Sequence, residues 1–115
     1  MKNTLIFIST TVILIASSCK KDIAPVATCV DEISYTQDVK PIIDLNCSTS
    51  GCHDASLSGG YSFVSYVSVS ANASTILNVI NHESGFTPMP YGNGKLADST
   101  IQKINCWIQQ GKLNN

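Results

Sequence analysis

Two cysteines and a histidine stand close together near the middle of the chain, in the run Cys47-Ser48-Thr49-Ser50-Gly51-Cys52-His53. Two cysteines with a histidine directly after the second is the order used in c-type haem attachment, where both thiols add to haem vinyl groups and the histidine binds the iron. These residues must be local in sequence because both thioethers reach opposite edges of a rigid macrocycle while the next residue turns under the iron. The motif therefore predicts Cys47, Cys52 and His53 as a covalent haem-binding site.

The spacing of the two cysteines departs from the common form of this motif. Four residues separate Cys47 from Cys52, where two are usual, so the segment must bulge, and its small, flexible residues allow that. Two other sites remain open on this pattern alone. The two cysteines could form a disulfide in a surface loop, or they could bind zinc together with His53 and either His82 or Cys106.

The apolar pattern predicts helices that would carry the motif. Residues 35–46 place apolar side chains at helical spacing, with Pro41 tolerable in the first turn, and this helix would deliver Cys47. Residues 63–69 form a short apolar run that we interpret as helix rather than strand, and residues 75–81 form a further short helix.

The strongest helical signal covers residues 98–110 and lies close to the end of the sequence. Asp98 is predicted as its N-cap and Gly111 as its C-terminal stop. Its apolar stripe consists of Ile101, Ile104, Trp107 and Ile108. Together the predicted elements indicate an all-α domain.

Composition limits what this domain can do. The chain has 115 residues, a formal net charge of −1 and only 13% charged residues, about half the usual charged fraction. All its basic residues other than histidine are lysines, so it lacks the arginines that make bidentate phosphate contacts, and we exclude nucleic acid as a partner. No paired acid/base carboxylates, Ser-His-Asp set, phosphate loop or EF-hand loop appears, so we predict no enzyme. A domain this small rarely has a sufficient apolar core, which makes a covalent staple necessary.

The first residues predict export and lipid attachment. Lys2 precedes an apolar run from Leu5 to Ala16, which has signal-peptide length and is shorter than the roughly 20 residues that span a bilayer. The sequence Ala16-Ser17-Ser18-Cys19 resembles the lipobox of bacterial lipoproteins, which implies cleavage before Cys19 and a lipid on its thiol. The alternative is an ordinary signal peptide that leaves Cys19 as a spare thiol. We therefore assign residues 1–18 to a lipoprotein signal peptide, 19–33 to a lipidated tether and 34–115 to the domain, held at a membrane of the bacterial cell envelope.

Several segments around the haem motif, taken in order over about 80 residues, resemble small class I cytochromes c. They are residues 35–43, the Cys-His pair, Thr87-Pro88-Met89-Pro90, Gly94-Lys95-Leu96 and residues 101–111. The resemblance implies a fold in which N- and C-terminal helices cross around the haem, with Trp107 packed in that crossing. It also implies Met89 as the second axial ligand, the only methionine left once Met1 is removed. His82 follows a polar stretch, and we interpret it as a solvated helix end rather than as a second histidine ligand.

The resemblance also bears on the two remaining cysteines. If Cys19 carries lipid while Cys47 and Cys52 carry haem, Cys29 and Cys106 are left, and an oxidising compartment favours their pairing. The helix crossing of class I cytochromes c would bring them together. The alternative is two independent thiols, with Cys106 buried as a small apolar residue.

The sequence thus predicts an electron carrier with one covalent haem c, His53 and Met89 as axial ligands, redox proteins as partners and a lipid anchor in a membrane. An alternative of a different class is a non-catalytic lipoprotein, stapled by disulfides, that acts as a binding or structural module. A haem protein with a sensing or peroxidatic role is a third reading, should Met89 bind weakly.

Overall fold

The computed structural model describes residues 28–115, and this part of the chain is all-α, with no strand. A π-helical turn, Tyr35–Val39, runs directly into helix α1, Lys40–Asn46; helix α2 spans Tyr66–Ile80 and helix α3 spans Asp98–Gln109. Within the described residues no helix has the length and apolar character that crossing a membrane requires. The predicted signal peptide and the lipid site Cys19 lie outside the described residues.

The N-terminal helix covers residues 35–46, as the sequence predicts, but it opens with a π turn. Ser34 begins it, because its hydroxyl accepts the amide hydrogen of Gln37 at 3.2 Å while its own amide donates to the Asp38 carboxylate at 3.1 Å. Pro41 is the second residue of α1. Since proline has no amide hydrogen and its ring crowds the carbonyl four residues earlier, a wide turn before it relieves a conflict that a regular helix would have.

Helix α2 is one continuous helix, so the prediction of separate helices over 63–69 and 75–81 is wrong. It begins after Ser65, whose hydroxyl accepts the amide hydrogen of Ser68 at 3.3 Å. The residues it buries lie on one face and are Val69, Ala73, Ile76 and Ile80. The middle of that face is Ala73, whose methyl group adds little to the hydrophobic pattern of the sequence. The pattern therefore looks like two short helices although the structure has one.

Helix α3 follows the prediction closely but begins differently. Ala97, not Asp98, is the N-cap, and it makes no side-chain capping bond. The Asp98 carboxylate instead lies 3.6 Å from the ammonium of Lys95. Gly111 ends the segment with a φ of +93°, which a residue with a side chain adopts only at a cost.

Trp107 lies at the centre of the core and is fully buried. Its ring lies 5.6 Å from the ring of Tyr35 and 6.4 Å from that of Tyr66. The indole N–H donates to the carbonyl of Leu113 at 2.9 Å. One residue of α3 therefore joins the N-terminal turn, the start of α2 and the tail of the chain.

The N-terminal turn and the residues just before it also contact α3 and its C-terminal end, through polar groups and a covalent bond. The Lys103 ammonium lies 3.0 Å from Asp38, a hydrogen bond that lowers the pKa of that carboxyl. A disulfide joins Cys29 to Cys106, with Cα atoms 5.3 Å apart, which is inside the range that disulfides require. The amide of Ile33 donates to the Gln110 side chain at 2.9 Å. Residues 29–33, assigned to the tether from sequence, thus lie against the domain.

Candidate functional site

A cavity of about 640 Å³ opens between the Cys47 loop, the middle and end of α2 and the loop that follows α2. All four residues predicted to hold haem line it, namely Cys47, Cys52, His53 and Met89. Much of the remaining wall is apolar and comes from Leu45, Phe63, Ile76, Val79, Ile80 and Leu96. Its volume lies within the range of about 300–1,000 Å³ typical of small-molecule and cofactor sites.

The four-residue insertion between the cysteines closes into a compact loop. The carbonyl of Cys47 accepts the amide hydrogen of His53 at 3.0 Å, so the first and last residues of the motif are joined by a backbone hydrogen bond. Inside that closure the amide of Cys52 donates to the carbonyl of Thr49 at 3.0 Å, and Gly51 adopts a φ of +78°. The extra residues therefore form a turn and do not separate the cysteines along an extended chain.

The two thiols have different surroundings. Cys47 lies at the end of α1, where its amide donates to the carbonyl of Ile43 at 2.8 Å, and its side chain is buried. Burial raises the pKa of the Cys47 thiol to about 11, with a smaller contribution from Cys52. The Cys52 side chain is exposed. Both cysteines are free thiols, so the Cys47–Cys52 disulfide that the sequence left open does not form.

One ring nitrogen of His53 makes a hydrogen bond to the backbone. Its Nδ1 lies 3.0 Å from the backbone carbonyl of Tyr61. A carbonyl can only accept, so Nδ1 carries a proton, and in the neutral ring this leaves the lone pair on Nε2, the tautomer that a metal-binding imidazole uses. The ring packs against Phe63 with centroids 4.7 Å apart.

Gly59 also lies close to this ring. A Cβ at this position would lie 2.9 Å from the Nδ1 and Cε1 atoms of His53 and 2.8 Å from the carbonyl of Cys52. The amide of Gly59 donates to that same carbonyl at 2.7 Å. Sequence reasoning assigned no role to Gly59 or Tyr61, and the only signal was the glycine pair that follows the motif.

Met89 reaches the cavity from the loop after α2. Its amide donates to the carbonyl of Val79 at 3.0 Å, its side chain is half-buried, and its peptide bond to Pro90 is cis. His82 is not part of the cavity lining. Its Nε2 instead donates to the carbonyl of Met89 at 3.2 Å, so it is more than the solvated helix end predicted from sequence.

The residues of the cavity fit a c-type haem by their chemistry. Two thiols could form thioethers, the free Nε2 of His53 and the thioether of Met89 could serve as axial ligands, and the apolar wall suits a largely apolar macrocycle. The zinc alternative needs a further ligand from His82 or Cys106, and His82 lies outside the cavity lining. Cys106, one of its candidate ligands, is bonded to Cys29.

The chain matches no protein-family model, no curated protein and no solved structure.

Proposed function

We propose that this protein is an electron carrier with one covalently bound haem c, attached through Cys47 and Cys52 and ligated by His53 and Met89. The observation that carries this proposal is that the local motif and Met89, separated in sequence by the whole of α2 and its flanking loops, line one cavity of about 640 Å³. The finer fold assignment, a class I cytochrome c domain, belongs to the same proposal. So does the lipid anchor at Cys19, which would hold the domain at a membrane of the bacterial envelope beside its redox partners.

One-electron transfer is favoured over catalysis because both axial positions would be filled. A bound haem supplies a reversible one-electron couple, and a methionine ligand raises its potential. His53 contributes an imidazole oriented by the carbonyl of Tyr61, which increases the basicity of the ligating nitrogen. The apolar residues of the cavity wall would replace water around a bound haem and so lower the local dielectric.

The alternative remains a non-catalytic lipoprotein that acts as a binding or structural module. The disulfide between Cys29 and Cys106 is compatible with it, and equally compatible with an electron carrier. A covalent haem distinguishes the two, because only the electron carrier requires one.

The test is expression in a host that matures c-type cytochromes, followed by a denaturing gel stained for haem peroxidase activity. We expect a haem-positive band that survives acid-acetone extraction, weaker retention in Cys52→Ala, and none in the double variant Cys47→Ala/Cys52→Ala. Ser50→Ala, in the same loop but without a thiol, is the matched control and should stain like the parent. A haem-free parent protein from that host would contradict the proposal.

A further inference from the structure

Helix α2 ends in a turn in which His82 has a left-handed backbone conformation. The amide of Glu83 donates to the carbonyl of Asn78 at 3.0 Å and the amide of His82 donates to that of Val79 at 3.3 Å, the paired bonds of a Schellman motif. His82 has a φ of +57°. Glycine is the usual residue there, because a side chain makes this backbone conformation less favourable. The His82 side chain makes one polar contact that offsets this cost.

That contact is with the backbone of Met89. The Nε2 of His82 donates to the Met89 carbonyl at 3.2 Å, while the Met89 amide donates to the Val79 carbonyl at 3.0 Å. Both polar backbone groups of Met89 are thus bound by the same helix end. With its amide and carbonyl fixed, the residue can rotate only about its side-chain bonds, and the side chain lines the cavity.

We propose that His82 is a positioning residue that holds the Met89 thioether in place as a ligand. The inference rests on the proposed haem function and assigns His82 no direct contact with the iron. A thioether is a weak, neutral ligand, so its occupancy depends on how well its loop is fixed. Removing the bond from His82 should therefore loosen Met89 without affecting the covalent attachment at Cys47 and Cys52.

Three substitutions separate positioning from simple helix capping. Asparagine and glycine suit a positive φ better than histidine does, so His82→Asn and His82→Gly should be neutral or favourable if His82 only ends the helix. Glutamine suits it worse, but its side-chain amide reaches about as far as Nε2 and can donate to the Met89 carbonyl. A positioning role thus predicts that Met89 is held better in His82→Gln than in His82→Asn or His82→Gly, whereas a capping role predicts the reverse. His82→Gln is the conservative variant that should restore the hydrogen bond to Met89.

The first measurement uses the haem-loaded protein. Added imidazole competes with Met89 for the iron, and loss of one net hydrogen bond should raise its apparent affinity about fivefold in His82→Asn and His82→Gly. The sulfur-to-iron charge-transfer band should weaken in the same two variants and persist in His82→Gln. Parent-like affinity and band in His82→Asn and His82→Gly would overturn the proposal.

The second measurement does not need haem. Hydrogen exchange at the Met89 amide should be about fivefold faster in His82→Asn and His82→Gly than in the parent or His82→Gln, because the bond to Val79 opens more often. If the parent fails to bind haem, the proposed function fails, and this exchange rate still decides whether His82 positions the Met89 backbone. Equal exchange rates in all four proteins would overturn that role in either case.

Discussion

The Nδ1 atom of His53 lies 3.0 Å from the backbone carbonyl of Tyr61, and this one bond determines which ring nitrogen carries the proton in the neutral imidazole. The partner is main chain, so no side-chain substitution at Tyr61 removes it directly. The ring also packs against Phe63, and Gly59 lies close to its Nδ1 and Cε1 atoms. Gly59 is consequently the position at which the orientation can be disturbed by a small change.

Gly59→Ala should displace the imidazole. The added methyl group would lie 2.9 Å from the ring and 2.8 Å from a backbone carbonyl, so the ring or the loop must shift. We expect haem still bound through Cys47 and Cys52 but weakened histidine ligation, seen as altered low-spin absorption and a changed potential. Val64→Ala is the control, because Val64 is exposed, precedes α2 in the same connection and does not line the cavity. Identical spectra for the parent and Gly59→Ala would contradict this account of His53.

Met89→Ala should leave the haem covalently bound and open one axial position. We expect the sulfur-to-iron charge-transfer band to vanish, the potential to fall, and added imidazole to bind more tightly. Leu96→Ala controls for lost cavity wall, since Leu96 also lines the cavity but offers no ligand atom. A Met89→Ala spectrum and potential equal to those of the parent would mean that another residue is the ligand.

The two thiols of the haem motif should react at different rates in haem-free protein. The Cys47 thiol, with its pKa raised to about 11 by burial, should be mostly protonated at pH 8, whereas the exposed Cys52 should be alkylated first. Peptide mass spectrometry after a short iodoacetamide pulse measures both. Equal labelling would show that Cys47 is not buried in the folded state, and the haem-loaded protein should label at neither position.

The raised pKa of the Cys47 thiol also makes the stability of the haem-free protein depend on pH. The folded state keeps the Cys47 proton up to about pH 11, while the unfolded chain loses it near the ordinary value of 9.0. The contribution of the Cys47 thiol to the free energy of unfolding is therefore fully present below pH 9 and is lost as pH rises through 11. Denaturant midpoints of the haem-free parent and of Cys47→Ala, measured across this pH range, test the direction of the effect. The parent should lose stability relative to Cys47→Ala as the pH rises.

The disulfide closes a loop with a sequence separation of 77. In the chain-entropy account such a crosslink contributes about 4 kcal/mol, so Cys29→Ser/Cys106→Ser should lower the free energy of unfolding by roughly that amount. Chemical denaturation measures it, with Val30→Ser as a control at an exposed neighbouring position. Thiol counting on denatured, unreduced parent protein offers a second check. Two free thiols from Cys29 and Cys106 would refute the bond in solution.

The parts of the fold that were foreseen are those in which large apolar side chains mark a helix face. Ile101, Ile104 and Trp107 of α3 are all buried as the stripe predicted, because each has enough apolar surface to be recognised. In α2 the central buried position is Ala73, whose methyl group gives no such signal. Helix bounds were missed for a related reason, since Ala97 caps α3 with its backbone conformation and no side-chain bond.

The site shows the same division. Cysteine, histidine and methionine carry recognisable chemistry, so Cys47, Cys52, His53 and Met89 could be named from the sequence, and all four line the cavity. The groups that orient them could not, because they are a backbone carbonyl at Tyr61, a missing side chain at Gly59 and a ring hydrogen bond from His82. Backbone hydrogen bonds and short distances between loop atoms leave no pattern in residue type. They can be identified only from the three-dimensional arrangement of the loops after α1 and α2.

The position of the crosslink determines how the domain bears a mechanical load. A pull along the upstream chain enters at Cys29 and passes through the disulfide directly into α3, the helix that holds Trp107. The hydrogen bonds of residues 33–35 to Gln110 and Asn115 lie beyond that entry point and are shielded from the force. If the proposed lipid anchor transmits a pulling force, that force would therefore act on a covalent bond and on α3 before it reached the loop that contains Cys47, Cys52 and His53.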